Sequence, residues 1–337
     1  MKRALSGLSV LAASSLYACS GMQSQLPSSS VSAAASAVQA VPAKKGTRCT
    51  KFEPFWNQHG SALAISSIDG GVCIVSQAQN HPLVGYVDAS SFTGAVFVAT
   101  DRADNLFVTS QGFWGIVSKY PKNSQTATAT YYVPDNASGL AVSRKGDLAV
   151  LDSGGAEAAV YIFPPNSTQA CTAVVGTNFG RSLSAVTYDR AGHIFVIGQD
   201  FSNTTHVGEI TGGCNAKKIK DLNLQVKFAV YGLQVDSSGN LDVLDLSTTP
   251  PQIDVFAGSS SAPGSTVVLK DATPQNLGAI AFASAGDIYL SDFGSGTVRE
   301  YRYPQGSTSI STFVPFGGLY NPLGIAAFPP VTPGAHS

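Results

Sequence analysis

The sequence predicts an all-β chain folded as a six-bladed β-propeller of four-stranded antiparallel blades, its ring closed by the C-terminal strand. Three observations carry that prediction. A strand–turn–strand pattern recurs at a period of about 45 residues. The 34 glycines and 18 prolines suit many short strands and tight turns better than long helices. The end of the chain carries one more copy of the first strand, with no second strand after it.

Composition bounds the function as well. Of 337 residues, 44% are hydrophobic, enough for one large core or two modest ones. Only 12% are charged, against roughly 25% in an ordinary soluble domain. The formal net charge of -1 argues against a basic nucleic-acid track and against an acidic disordered tail.

Taken in chain order, residues 1–18 come first. Lys2 and Arg3 precede an uncharged, mostly apolar run from Ala4 to Ala18. That run is too short to cross a roughly 30 Å hydrocarbon core as a helix, so it reads as a secretory signal segment. It ends Leu16-Tyr17-Ala18-Cys19, which resembles the lipobox of bacterial lipoproteins, although Tyr17 is bulkier than that motif usually carries. The resemblance implies that Cys19 carries a diacylglycerol and an amide-linked acyl chain such as palmitate, anchoring the chain to a lipid bilayer. Acyl chains at ~0.8 kcal/mol per buried methylene hold firmly. Ser20 is not the Asp that resembles an inner-membrane retention signal, so the outer membrane of a bacterial envelope is the expected location. An ordinary signal peptide with an incidental Cys19 is the bland alternative.

Residues 19–47 are rich in Ser and Ala and have no stable period. They read as a disordered tether rather than a short Ala-rich helix.

The propeller is expected over 48–330, with a disordered tail at 331–337. Five segments repeat strand, turn and strand: 94–110, 138–154, 184–200, 231–247 and 277–294. Their turn residues are Asp104, Gly146, Gly192, Gly239 and Gly286, at spacings of 42, 46, 47 and 47. A weaker copy at 61–77 turns at Gly70. A third strand follows each copy, as in "AVYIFPPNS", and a fourth follows most, as in "CTAVVG". The first strands are apolar or small at nearly every position, as strands around a crowded channel would be. The terminal "LGIAAF" (323–328) matches "LGAIAF" (277–282) and would be an unpaired apolar edge unless it joins the first unit. It is expected to pair with 72–76 and 83–87 and to compete with 61–66 for the inner slot. An open solenoid would need polar end caps that neither end supplies, and stacked sandwiches would not keep so regular a period.

The turns "VDSSGNLDVLD" (235–245), "FASAGDIYLSD" (282–292) and "VSRKGDLAVLD" (142–152) resemble the NHL and YncE-like class of propellers. The resemblance covers architecture and implies little about activity, since that class holds scaffolds, binding modules, lyases and lactonases.

Six residues beyond each turn residue stand Ser76, Ser110, Asp152, Gly198, Asp245 and Asp292, all expected on one face of the disc. Asp200 is a substitute for Gly198. Asp152, Asp245 and Asp292 could line a calcium or sugar site, or each could cap its own turn by accepting backbone N–H bonds. Five histidines occur without zinc spacing, and there is no nucleophile elbow or phosphate loop. His193 reads as a solvent-facing turn residue. Glu53, Glu157, Glu209 and Glu300 are the mature chain's only glutamates, none in a first strand, which argues against the lactonases of this shape. Sequons at Asn136, Asn166 and Asn203 read as turn chemistry.

With Cys19 lipidated, Cys49, Cys73, Cys171 and Cys214 allow three pairings. Cys49–Cys73 and Cys171–Cys214 are favoured, since they would pin the tether to the first unit and join consecutive units. Four buried free thiols are the alternative.

The expected function is an envelope-anchored, monomeric module that binds a saccharide, a small ligand or an envelope protein, with no cofactor and no nucleic acid. The alternative is a calcium-dependent hydrolase or lyase acting on a small lactone or ester. Asp242 stands where the other repeats carry Phe107, Ala149, Phe195 and Tyr289. A carboxylate buried there needs a partner, with Lys227 and backbone amides as candidates, or a water-filled hollow.

Overall fold

The hairpin between first and second strand sets the geometry of every unit. Its turn residue has a positive φ in five copies: 60° at Asp104, 94° at Gly146, 95° at Gly192, 90° at Gly239 and 85° at Gly286. Glycine adopts that left-handed conformation freely and aspartate tolerates it, which explains the residue choice. A computed structural model describes residue 49 and residues 55–334, apart from 68–70, 89–94, 111–114, 155–157, 177–178, 180–181, 259, 284–285, 317–320 and 332. The expected signal segment, Cys19 and the tether lie outside the described residues.

Six antiparallel sheets form the ring. Blades 2 to 6 have four strands each, running outward from inner strands Ala95–Thr100, Ala137–Val142, Ser182–Tyr188, Leu233–Val235 and Leu277–Phe282. Blade 1 is the exception. Its order from the channel is Pro322–Phe328, Ala62–Ser67, Val72–Ser76, Leu83–Val87, Phe55–Trp56, which makes five strands.

The C-terminal strand therefore closes the ring, but not through the expected partner. It pairs antiparallel with Ala62–Ser67 (Ile65 opposite Ile325), and that strand in turn pairs with Val72–Ser76. The two segments expected to compete for one slot occupy neighbouring slots. Burial gives the reason. Second strands such as Leu148–Asp152, Leu241–Asp245 and Asp287–Asp292 are buried at every position, as is Ala62–Ser67. The inner strands, including Pro322–Phe328, alternate buried with half-buried positions where they border the channel. "ALAISS" thus has the burial profile of a second strand, bonded on both edges. It follows that 61–77 is a second–third hairpin, and Ser76 ends a third strand. Ser67, opposite Pro322, takes the position that Asp152 holds opposite Ala137.

The apolar core is divided rather than central. Among the described residues it forms six clusters, each between adjacent blades. Leu63, Ile65 and Ile325 of blade 1 meet Ala281, Tyr289 and Val298 of blade 6 on one side. Ala64, Ile74 and Phe328 meet Val98, Leu106 and Val108 of blade 2 on the other. Phe328 has no exposed surface. Burying such a side chain contributes roughly 1.5–3 kcal/mol, so both seams depend on the closing strand.

Two disulfides match the favoured pairing. Cys49–Cys73 ties the incoming chain to blade 1, and Cys171–Cys214 joins the outer parts of blades 3 and 4. The Cys49 amide also donates to Pro315 O of blade 6 at 2.8 Å.

Candidate functional site: the two ends of the channel

The channel has an entry end, where chains enter the inner strands, and a turn end, where the first hairpins lie. Asp152 opposes Ala137 and Asp292 opposes Leu277 at the starts of inner strands, so they mark the entry end with Asp245. Ser76 ends a strand running the other way and lies at the turn end, contrary to the expected single face. Ser110 opposes Ala95 and Gly198 opposes Leu183, in keeping with the entry end.

The three aspartates are engaged locally. Asp152 Oδ1 accepts the Asn136 amide at 2.9 Å, Asp245 the Ser247 amide at 2.8 Å and Asp292 the Ser295 amide at 3.0 Å. Asp292 also faces Arg299 Nε at 3.3 Å, and that guanidinium reaches Asp271 at 3.4 Å. Burial pushes the Asp152 carboxyl above its ordinary range, against the pull of the Asn136 amide. Among the described residues no three His, Cys, Asp or Glu side chains converge as a metal site. Asp200 caps its own turn through the Ser202 and Thr204 amides, both at 2.8 Å. His193 is partly exposed at the blade 4 turn, with Nδ1 3.1 Å from Asp189. Asn166 and Asn203 occupy left-handed turn positions.

Asp242 has a partner, but not Lys227. The Tyr303 hydroxyl, from the chain after the third strand of blade 6, lies 3.0 Å from both Asp242 oxygens and 3.2 Å from Asp236 Oδ2. Burial pushes the Asp242 carboxyl up to about 8. The neighbouring Asp236 charge pushes the same way, and the tyrosine bond pulls back. At neutral pH the buried acid is therefore mainly protonated, which removes the need for a cation. Lys227 acts instead on Asp254, as a minor influence opposing the burial that lifts that carboxyl to about 6.

Another buried polar group was hidden in sequence. His81 Nε2 lies 3.1 Å from Ser311 Oγ and 3.6 Å from Glu300, and its ring stacks on Phe313 at 4.2 Å. Tyr289 donates to Glu300 at 2.7 Å. Burial would raise Glu300, but the bonds from His81 and Tyr289 outweigh it and hold the carboxyl low. The group joins blade 1 to blade 6 in a filled seam, and sequence distances of up to 230 residues concealed it.

The channel itself is asymmetric. Near the entry end Phe97 of blade 2 and Tyr231 of blade 5 meet across it, ring centroids 5.5 Å apart. The turn end holds a recess of about 140 Å³ framed by the ends of all six inner strands. Its wall includes Val98, Leu140, Val186 and Ile325, and its rim includes Thr100, Arg102 and Arg144. Pro330, Val331 and Pro333 form part of the roof. Residues from 331 onward were expected as a disordered tail, yet Gly334 is buried and tied down. Its amide donates to Asp236 O at 2.7 Å, and its carbonyl accepts the Arg190 amide at 2.9 Å. The segment leaves blade 1 at Phe328 and reaches the turns of blades 4 and 5, so it straps the mouth from one side to the other. A Cβ on Gly334 would overlap the Gly239 backbone, so only glycine fits there.

Comparison with solved structures agrees with the architecture. The chain is similar to a protein of unknown function from Bacteroides caccae, at a TM-score of 0.60 and 10% identity, over 80% of this chain and 99% of that one. It is also similar, at a TM-score of 0.45 and 14% identity, to Kuenenia stuttgartiensis hydrazine synthase, over 62% of this chain and 66% of that one. No family model and no curated protein matches the chain.

Proposed function

We propose that this chain is a ligand-binding lipoprotein of the bacterial cell envelope, most simply of the outer membrane. Cys19 anchors it, the tether spaces it from the bilayer, and the propeller takes its ligand at the turn end of the channel. One observation carries the binding part. The recess is a concave, partly apolar pocket in which Val98, Leu140, Val186 and Ile325 are interspersed with a few polar side chains, Thr100, Thr187 and Gln234 among them, which is the form of a small-ligand site. The Phe97–Tyr231 contact narrows the channel beneath it, near the entry end.

A binding role fits better than the hydrolase or lyase alternative because of what lines the recess. Asp101 is its one lining carboxylate, and neither His nor Glu is among the lining residues. Asp101 is committed to its own turn, accepting the Ala103 and Asn105 amides at 2.9 Å and the Asn105 side chain at 2.7 Å. General acid–base work needs a titratable group within reach of the substrate; besides Asp101 the lining holds Tyr188, whose phenol is pushed by burial well above its ordinary range and so away from proton transfer near neutral pH. The turn motifs support placing the fold near the NHL and YncE-like class.

Native mass spectrometry of the full protein extracted from membranes tests the proposal. The expected spectrum shows an acylated chain carrying a non-covalent small molecule, which Thr187→Trp, a recess-filling change, removes. An unacylated chain would reject the anchor. A chain that never carries a small molecule would reject the binding role.

A further inference from the structure

We propose that the recess takes a small amphipathic anion, a monocarboxylate with a short apolar body, its carboxylate held by Arg102 and Arg144. The inference rests on the reading of the recess as a binding site and adds the class of ligand.

Three observations converge. The first is the placing of the arginines. In blades 2, 3 and 4 the residue after the turn cap is arginine, in "DRADN", "SRKGD" and "DRAGH". The same position in blade 5 is Ser237, and the matching residue after the closing strand of blade 1 is Pro330. Arg102 and Arg144 both line the recess, on adjacent blades. Arg190, the third, is bound through its backbone amide to the strap.

The second observation is the state of the neighbouring acids. Asp104 pairs with Lys122 at 2.6 Å, and Asp147 accepts the Ser143 hydroxyl at 2.9 Å. Asp189 Oδ1 accepts the Gly192 and His193 amides at 2.8 Å, and Asp101 is bound into its own turn. Among the described residues no carboxylate lies within ion-pair distance of Arg144. An arginine at the rim of a concave pocket with no acid partner is suited to a planar carboxylate, which it can grip through two parallel N–H bonds.

The third observation is the shape below the rim. Val98, Leu140, Val186 and Ile325 line the wall, and the strap adds Pro330 and Val331. A volume of about 140 Å³ holds a body about the size of one benzene ring. The strap reaches the turns of blades 4 and 5, whereas the arginines belong to blades 2 and 3. A ligand would then enter beside the strap, with its head at the rim and its body directed down the channel.

The test uses calorimetric titration of the full chain with benzoate, its neutral isostere benzamide, and inorganic phosphate. Benzoate should bind, with an affinity that falls as salt is raised. Benzamide should bind at least about tenfold more weakly, because a charged hydrogen-bond pair is lost. Arg144→Gln and Arg102→Gln should each weaken benzoate by about tenfold and benzamide by less, with the melting temperature unchanged. Equal binding of benzoate and benzamide would overturn the anion assignment while leaving the recess as a binding site. Phosphate binding as tightly as benzoate would overturn the apolar body. No binding of benzoate, or benzoate binding that survives both substitutions, would overturn the proposal, whereas the pocket reading would fail separately if no molecule occupies the recess in the membrane-extracted protein.

Discussion

Tyr303 points its hydroxyl between two carboxyl groups of the neighbouring blade, 3.0 Å from Asp242 and 3.2 Å from Asp236. One hydroxyl proton cannot satisfy both as anions, and Asp242 has no exposed surface. A proton on Asp242 resolves the conflict, so the seam between blades 5 and 6 holds a neutral acid where the other repeats hold a ring or a methyl.

That protonation gives a pH dependence of known sign. Burial pushes the folded Asp242 carboxyl up to about 8 from an ordinary 3.8, so between those values the folded state binds more protons and stability falls as pH rises. Its stabilising contribution is complete below about pH 4 and lost by about pH 8, with a slope on the order of 1.4 kcal/mol per pH unit in between. Asp242→Asn, which mimics the neutral acid, should be more stable than wild type by roughly 2–3 kcal/mol at pH 6 and flatten this slope by about one proton. Urea melts from pH 5 to 9 read both. A variant destabilised by several kcal/mol at pH 6 would mean that the carboxylate is charged and paired.

The strap prediction concerns Gly334. Gly334→Val should be unable to seat against Gly239, freeing the segment and its two backbone hydrogen bonds. Hydrogen exchange at the Arg190 amide should then speed up by about tenfold or more, while the blades keep their protection. An unchanged Arg190 amide would mean that the strap is not held at this point.

Ring closure can be tested by length. Cutting the chain after Leu319 removes the inner strand of blade 1 and strips both its seams of Ile325 and Phe328. Loss of cooperative unfolding, or aggregation through the bared edge of Ala62–Ser67, is expected. A truncated chain as stable and monomeric as the full one would contradict the closure.

The Cys171–Cys214 bond crosses between blades rather than within one. Replacing both cysteines by serine should cost about 2–4 kcal/mol, measured by urea unfolding under non-reducing conditions. A cost near zero would mean that the seam of blades 3 and 4 holds without it.

The architecture was legible because each repeat carries its own local record: a left-handed turn residue, an apolar run on either side, and a fixed spacing. The slot of Ala62–Ser67 was not, because inner and second strands are both apolar. They differ in burial at alternate positions, which depends on what lies across the channel. Asp242 was visible as an anomaly, but its partner was misread. The repeat pattern says nothing about which residue of the next blade faces it, and Tyr303 lies 61 residues on. The strap was missed for a related reason: "PPVTPG" has the composition of a loose tail, and its order comes from two backbone bonds and one close glycine contact. Arg102 and Arg144 could have been noticed, since arginine follows the turn cap in three consecutive units.

Hydrogen exchange of the full chain, with and without a small-molecule extract of the cells that produce it, tests the central claim most directly. The account predicts slower exchange confined to 98–102, 140–144 and the strap at 330–334. Protection at the opposite end, around Phe97, Tyr231 and Asp245, or no protection at either end, would contradict it.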